Sequence, residues 1–235
     1  MMPPPPVEAT VVNPQFESDT FETRSGNTLK ITFIKHASLI LVFDGKTIYV
    51  DPVSEYADFS QLPKADVILI THEHADHLDP KAIATLEKQG TILITNPSSQ
   101  AKLGKGVVMK NGDSLTPVPW LKLEAVPAYN TTPDRVKFHP KNRDNGYILT
   151  LGGDRIYIAG DTEDIPELKQ LKAIDIAFLP VNQPYTMTIP QAVHAAKMFN
   201  PRILYPYHYS DTDIKQLEEG LKNTPEIEVR IRQLQ

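Results

Sequence analysis

The sequence contains no cysteine. That absence removes a disulfide framework, a thiolate zinc site and a cysteine nucleophile together, so any metal must be held by nitrogen and oxygen ligands. It leaves the compartment open, because periplasmic proteins can also lack cysteine. No apolar run approaches the ~20 residues needed to span a bilayer. Met1-Met2 lead directly into Pro3–Pro6, which is neither a charged n-region nor an apolar h-region. The start therefore reads as a short polyproline arm. A cytoplasmic location is expected, or a periplasmic one if a leader has been removed. Nor is there a basic stripe. With a net charge of -5 and a pI near 5.8, the chain is not expected to bind nucleic acid.

What is present supports a sizeable core: 40% of the 235 residues are hydrophobic, enough for one large domain. Residues 1–27, rich in Pro, Thr, Ser and Glu without a steady period, are expected to form an N-terminal arm, and residues 28–235 the domain. Strands are expected over 29–34, 39–43 and 47–50, with Asp44-Gly45 as a hairpin turn between the last two. The apolar run over 67–70 has the composition of a strand buried on both faces. A helix should follow Asp79-Pro80 and run to Gly90. Further strands are expected at 92–95, 107–108 and 121–126. A loop over 127–145 is longer than ordinary connections and so is a candidate functional loop.

The second half echoes the first. A hairpin over 147–159 turns at Gly152-Gly153-Asp154, and Ile156-Tyr157-Ile158-Ala159-Gly160-Asp161 parallels Ile48-Tyr49-Val50-Asp51. Another strand is expected over 175–179. A helix is expected over 189–199, a strand over 203–207 ending at His208, a helix over 212–222 and a closing strand over 227–231. Alternating strands and helices with hairpins between them predict an α/β layered domain with mixed sheets.

Three of the seven histidines fall in His72-Glu73-His74-Ala75-Asp76-His77, directly after the buried run. Imidazole and carboxylate are ligands zinc favours at roughly 2.0–2.2 Å. His72 and His74, two apart, can face one ion across a turn, while Asp76 and His77 point elsewhere, to where a second ion can sit.

This cluster resembles the HxHxDH signature of the metallo-β-lactamase fold superfamily, and the resemblance extends from about Leu29 to His208. Ile34-Lys35-His36-Ala37-Ser38 and Tyr49-Val50-Asp51-Pro52 are similar to one branch of it, the ascorbate-6-phosphate lactonase-like and N-acylphosphatidylethanolamine phospholipase D-like proteins. The resemblance implies a four-layered αβ/βα sandwich of two mixed β-sheets with helices outside. It implies that His72 and His74 hold a first metal, that Asp76, His77 and His208 hold a second, and that Asp161 bridges them. Two divalent ions are expected, zinc first, with manganese or iron as alternatives. Such ions lower the pKa of bound water and stabilise negative charge on the substrate.

Asp51 is either a carboxylate that fixes the tautomer of a liganding histidine or a strand-ending residue before Pro52. His36 either faces the site as a proton donor or anion contact, or is a hydrogen-bonded histidine at a strand end. Where the family has a further histidine this chain has Asn130, a weaker ligand. Either the first site is weakened, or His139 from the long loop completes it.

The expected activity is hydrolysis of an ester, lactone or phosphodiester in a small, anionic substrate. Fold resemblance does not by itself point to β-lactams. Redox chemistry at iron is disfavoured, since no flavin or rubredoxin module is appended. A non-catalytic metal-binding or ligand-sensing protein is the alternative that Asn130 keeps open.

Overall fold

The computed structural model describes residues 16–234; the proposed polyproline arm at Pro3–Pro6 lies outside them. Two seven-stranded sheets stack face to face. The first contains β1 (Ser18–Glu22), β2 (Thr28–Lys35), β3 (Ser38–Phe43), β4 (Lys46–Val50), β5 (Val67–Leu69), β6 (Ile92–Thr95) and β7 (Val107–Val108), in that spatial order. The second contains β8 (Ser114–Val118), β9 (Leu121–Ala128), β10 (Asp144–Leu151), β11 (Asp154–Ile158), β12 (Ile176–Pro180), β13 (Ile203–Tyr207) and β14 (Glu228–Val229). In each sheet the first four strands pair antiparallel and the last four parallel. The short echo between Ile48–Asp51 and Ile156–Asp161 thus belongs to two halves of the same pairing pattern.

Period-2 alternation explains the layering. Leu29, Ile31 and Phe33 of β2, Leu39 and Leu41 of β3, and Ile48 and Val50 of β4 enter the core shared with the second sheet. There Phe33 meets Tyr205 with ring centroids 5.1 Å apart. The alternate residues Ile40, Tyr49 and Ile68 face outward and are covered by Ala82, Ile83 and Leu86 of α1 (Pro80–Leu86). Behind the second sheet lies α3 (Ile189–Phe199), whose Phe199 packs edge-on against Tyr157 at 5.6 Å. Each such fully buried aliphatic or aromatic side chain contributes roughly 1.5–3 kcal/mol. No helix among the described residues is long and apolar enough to cross a membrane.

Turn and cap chemistry follows the sequence closely in places. Asp44 and Gly45 take φ of 48° and 72°, as a two-residue hairpin loop requires. Thr188 and Gln191 form a reciprocal capping box on α3, satisfying two otherwise orphaned amides. Elsewhere the structure departs from expectation. The helix after Asp79 stops at Leu86 rather than Gly90, because the Leu86 carbonyl accepts the Ala65 N–H at 2.9 Å. A further helix, α2 (Pro97–Leu103), is capped by Asn96 and ended by Gly104. The last helix, α4 (Lys215–Leu221), and β14 are shorter than expected, and β9 and β10 shorten the long loop to residues 129–143.

Residues 18–22 are an edge strand rather than arm. Phe21 is their single apolar side chain, so no hydrophobic period marks them; pairing with β2 and one charged clasp hold them. Arg232 grips the Asp19 carboxylate through Nη2 at 2.8 Å and Nε at 3.2 Å, and the Tyr205 hydroxyl donates to it as well. Burial would raise the Asp19 carboxyl, but those hydrogen bonds and the charges of Arg232 and Arg230 outweigh it and leave it below its ordinary value. Asp19→Ala is expected to cost about 1–3 kcal/mol in urea unfolding at pH 7, since it strands partly buried donors. A depressed carboxyl stabilises above its unfolded pKa near ~3.9 and ceases to do so as pH falls through the folded value. The difference between wild type and variant should therefore shrink in acid; an identical midpoint at pH 7 would remove the clasp from the account.

Candidate metal centre

Strand ends deliver the site. β5 runs into Thr71 and His72, and the chain then folds so that the His77 and Leu78 N–H groups both donate to the His74 carbonyl, at 3.0 and 2.8 Å. This turn sends His72 and His74 one way and Asp76 and His77 another. From the second sheet, β11 delivers Asp161 and β13 delivers His208. His36, Asp51, Gly160 and His208 all have positive φ, a conformation costly for residues with a Cβ and typical of functional positions. At Gly160 a side chain is also excluded by space: a Cβ there would lie 2.7 Å from the Asn145 carbonyl oxygen.

Three groups of side chains bring ligand atoms within 4.8 Å of one another. One is His72, His74 and His139. A second is His36, Asp76, His77 and His208, and a third joins His72 and His77 to Asp161. The Asp161 carboxylate is central. Its Oδ1 lies 3.4 Å from His77 Nε2, and its Oδ2 lies 3.2 Å from His208 Nε2, 3.4 Å from His139 Nε2 and 3.8 Å from His72 Nε2. Asp76 Oδ2 lies 3.1 Å from His36 Nε2 and 3.4 Å from His208 Nε2.

The sequence-derived residues thus converge, and the structure distinguishes the two candidates in the long loop. His139 is buried and reaches the His72–His74 group. Asn130 gives its amide N–H groups to the carbonyls of Tyr185 and Arg135, at 2.7 and 3.2 Å. Its backbone N–H donates to the His139 carbonyl at 2.9 Å, so it braces the loop that carries His139. His194 stands apart, its Nδ1 2.6 Å from Asp164 Oδ2.

Asp51 accepts the backbone N–H and hydroxyl of Thr71, at 2.8 and 2.6 Å, and lies 2.8 Å from His77 Nδ1. With a proton on Nδ1 donated to Asp51, the lone pair of His77 lies on Nε2, facing Asp161. Asp144 does the same for His139, with Oδ2 3.0 Å from Nδ1, and is itself gripped by Arg143 at 2.7 and 2.9 Å. Sequence reasoning missed Asp144. A lone acid at the end of a polar loop carries no local signal, and its role exists only once β10 returns beside the loop. Glu163 was missed for the same reason: its buried carboxylate accepts the N–H groups and hydroxyls of both Thr131 and Thr132, all at 2.7–2.9 Å, pinning the loop's start.

The electrostatics suit a cation. Burial would lower His77 and His208, but Asp161 outweighs it, aided by Asp51 at His77 and Asp76 at His208; His77 is raised and His208 is pushed up to about 9. Burial would raise Asp161, and the charges of His208 and His77 hold it well down instead. Burial keeps His72 neutral. The Asp161 carboxylate thus favours positive charge on the imidazoles around it, where a cation would sit. Among the described residues, the buried Nε2 atoms of His72, His77 and His208 and Oδ1 of Asp161 have no hydrogen-bond partner. Buried polar atoms left without partners call for a ligand, and imidazole nitrogens around a carboxylate are a donor set for zinc and related ions. Above them opens a cavity of about 320 Å³ walled by Phe138, Asn182 and Tyr185.

Asp51→Asn keeps an acceptor for the Thr71 N–H but turns an amide NH2 toward the Thr71 hydroxyl and His77 Nδ1, which weakens the hold on His77. Losing such an outer partner typically costs 10–100-fold in metal affinity. We expect a shift of that size in chelator-competition titrations, with the circular dichroism spectrum unchanged; wild-type affinity would reduce Asp51 to a strand-end role.

The beta-lactamase superfamily domain matches residues 30–208. A Ligilactobacillus salivarius protein named UPF0173 metal-dependent hydrolase is 30% identical over 220 residues, covering 85% of this chain and 98% of its own length. A crystal structure from Parabacteroides distasonis, of a protein described as a metal-dependent hydrolase, is 66% identical. It superposes with a TM-score of 0.92 over 94% of this chain and 100% of that one. Igni18, a metallo hydrolase from Ignicoccus hospitalis, is 25% identical, with a TM-score of 0.74 over 87% of this chain and 95% of its own.

Proposed function

The chain belongs to the beta-lactamase superfamily and is a metal-dependent hydrolase, and we propose that it cleaves an ester, lactone or phosphodiester bond at a pair of divalent ions. The observation that carries this reading is the Asp161 carboxylate set among buried imidazole nitrogens that lack any other partner. In this proposal His72, His74 and His139 hold one ion. Asp76, His77 and His208 hold the other, and Asp161 is shared between them. Zinc fits this nitrogen-rich set best, with manganese or iron as alternatives. When bound, such ions supply a nucleophilic water at neutral pH and neutralise charge that develops on the substrate oxygen.

The chain's own residues do the rest. Asp51 and Asp144 fix the tautomers of His77 and His139. Proton traffic falls to His36, whose neutral form burial favours and whose Nε2 lies 3.1 Å from the Asp76 carboxylate. Burial would raise Asp76, but the His208 and His36 hydrogen bonds hold it well below its ordinary value, so it orients His36 as an acceptor. An anionic substrate would be drawn by the ions alone, since no lysine or arginine lines the cavity.

The test is reconstitution of metal-free protein with zinc, manganese or iron. Elemental analysis should give two ions per chain, and a panel of esters, lactones and phosphodiesters should yield metal-dependent turnover. No bound metal after reconstitution defeats the proposal. Two firmly held ions with no turnover of any class would point instead to a metal-binding or ligand-sensing protein.

A further inference from the structure

The wall of the cavity has a character that the ions do not dictate. Phe138 and Tyr185 meet edge to face, with ring centroids 5.0 Å apart. Tyr185, which lines the cavity, is 44% exposed and so offers its ring at the opening. The wall is held in place. Tyr185 and Thr186 both donate their N–H groups to the Asn182 carbonyl, at 3.0 and 2.7 Å, and the Thr186 hydroxyl accepts the Asn182 N–H at 2.7 Å. Asn130 ties this turn to the opposite loop through the Tyr185 carbonyl.

Lysine and arginine are missing from the residues that line the cavity. Arg143 approaches His74 Nε2 at 3.3 Å, but its other hydrogen bonds go to Asp144 and the Phe138 carbonyl. The Lys137 ammonium lies over the Phe138 ring, 5.1 Å from its centroid, and does not line the cavity. Among the residues that line the cavity, a phosphodiester or other anion would find no lysine or arginine. An apolar group would find two aromatic rings.

We infer that Phe138 and Tyr185 form an aromatic jaw that selects uncharged esters carrying an apolar group beside the scissile bond. This rests on the hydrolytic reading of the site and narrows its substrate class. It makes the two rings specificity-determining residues, with Asn130 as a positioning residue that links them to the His139 loop.

The experiment uses the full chain reconstituted with zinc. One arm measures kcat/KM for 4-nitrophenyl acetate, butanoate, hexanoate and octanoate beside bis(4-nitrophenyl) phosphate. The other measures binding of unreactive methyl ketones of matching length by ligand-observed NMR. Both kcat/KM and affinity should rise about two- to fourfold per added methylene until the cavity fills, with the phosphodiester the poorest substrate. Phe138→Ala and Tyr185→Ala should each flatten both gradients at wild-type metal content; Tyr185 is exposed enough that its loss leaves the fold intact. A gradient absent from both arms, one that survives both substitutions, or a preference for the phosphodiester overturns the inference. If neither the esters nor the phosphodiester are hydrolysed but ketone binding keeps its ring-dependent gradient, the hydrolytic reading fails while the jaw stands. If esters are hydrolysed without any gradient, the hydrolytic reading stands and the jaw fails.

Discussion

Asp161→Ala is expected to abolish metal-dependent hydrolysis, lowering kcat/KM on the order of 10³-fold or more, and to leave at most one ion per chain. Asp161 is the side chain approached by four imidazole nitrogens. Two cations roughly 3.5–4 Å apart need a shared anion, and losing metal-derived charge stabilisation removes several kcal/mol from the transition state. The substitution carries a second penalty. In the metal-free protein the Asp161 carboxylate raises His77 and His208 toward their charged forms. Removing one member of such a buried set typically costs ~3–5 kcal/mol until the others neutralise. Asp161→Asn, which keeps the volume, should fold more readily than Asp161→Ala and be equally inactive. Elemental analysis, thermal unfolding and turnover measured together decide the matter; two ions and wild-type turnover in either variant would take Asp161 out of the centre.

The second large effect is expected at His139. His139→Ala should lose about one equivalent of metal and most activity while leaving the other ion in place. Its Nε2 completes the group with His72 and His74, and its Nδ1 is already fixed by Asp144. Without it the first ion would keep two imidazoles and a share of Asp161. Asn130 is a poorer substitute: its amide nitrogen braces the loop through Arg135 and Tyr185, and its buried, unpartnered Oδ1 is a weaker ligand than imidazole. Asn130→Ala should therefore disturb metal content less than His139→Ala does. Unchanged stoichiometry in His139→Ala would make His139 a loop residue, with the first site weak or mononuclear.

Much of this was legible in the sequence because it is written locally. The inner strands carry alternation or unbroken apolar runs. The hairpin at Asp44-Gly45 and the cap at Thr188 are short-range chemistry, and the His72–His77 cluster is contiguous. What escaped is what tertiary structure creates. β1 has one apolar residue and is held by Arg232, some two hundred positions away in the chain. The helix after Asn96-Pro97 had both its cap and its terminal Gly104 in view, yet its buried side chain is Ser99, so no apolar stripe announced it. Asp144, Glu163 and the Phe138–Tyr185 pair are ordinary loop residues until two segments from different strands meet. The choice between Asn130 and His139 was of the same kind: nine positions apart, they are joined by a backbone hydrogen bond that no spacing rule foretells.

The matched pairing pattern of the two sheets bears on how the protein lasts in a cell. Each proposed ion draws ligands from both halves: His72 and His74 with His139, and Asp76 and His77 with His208. A bound ion is then a crosslink between two hairpin-led units, and its binding energy is also folding energy. At a hundredfold excess of free metal over Kd, each site would add about 2.7 kcal/mol. Metal loading would then also slow opening of the chain, and with it proteolysis of the opened form.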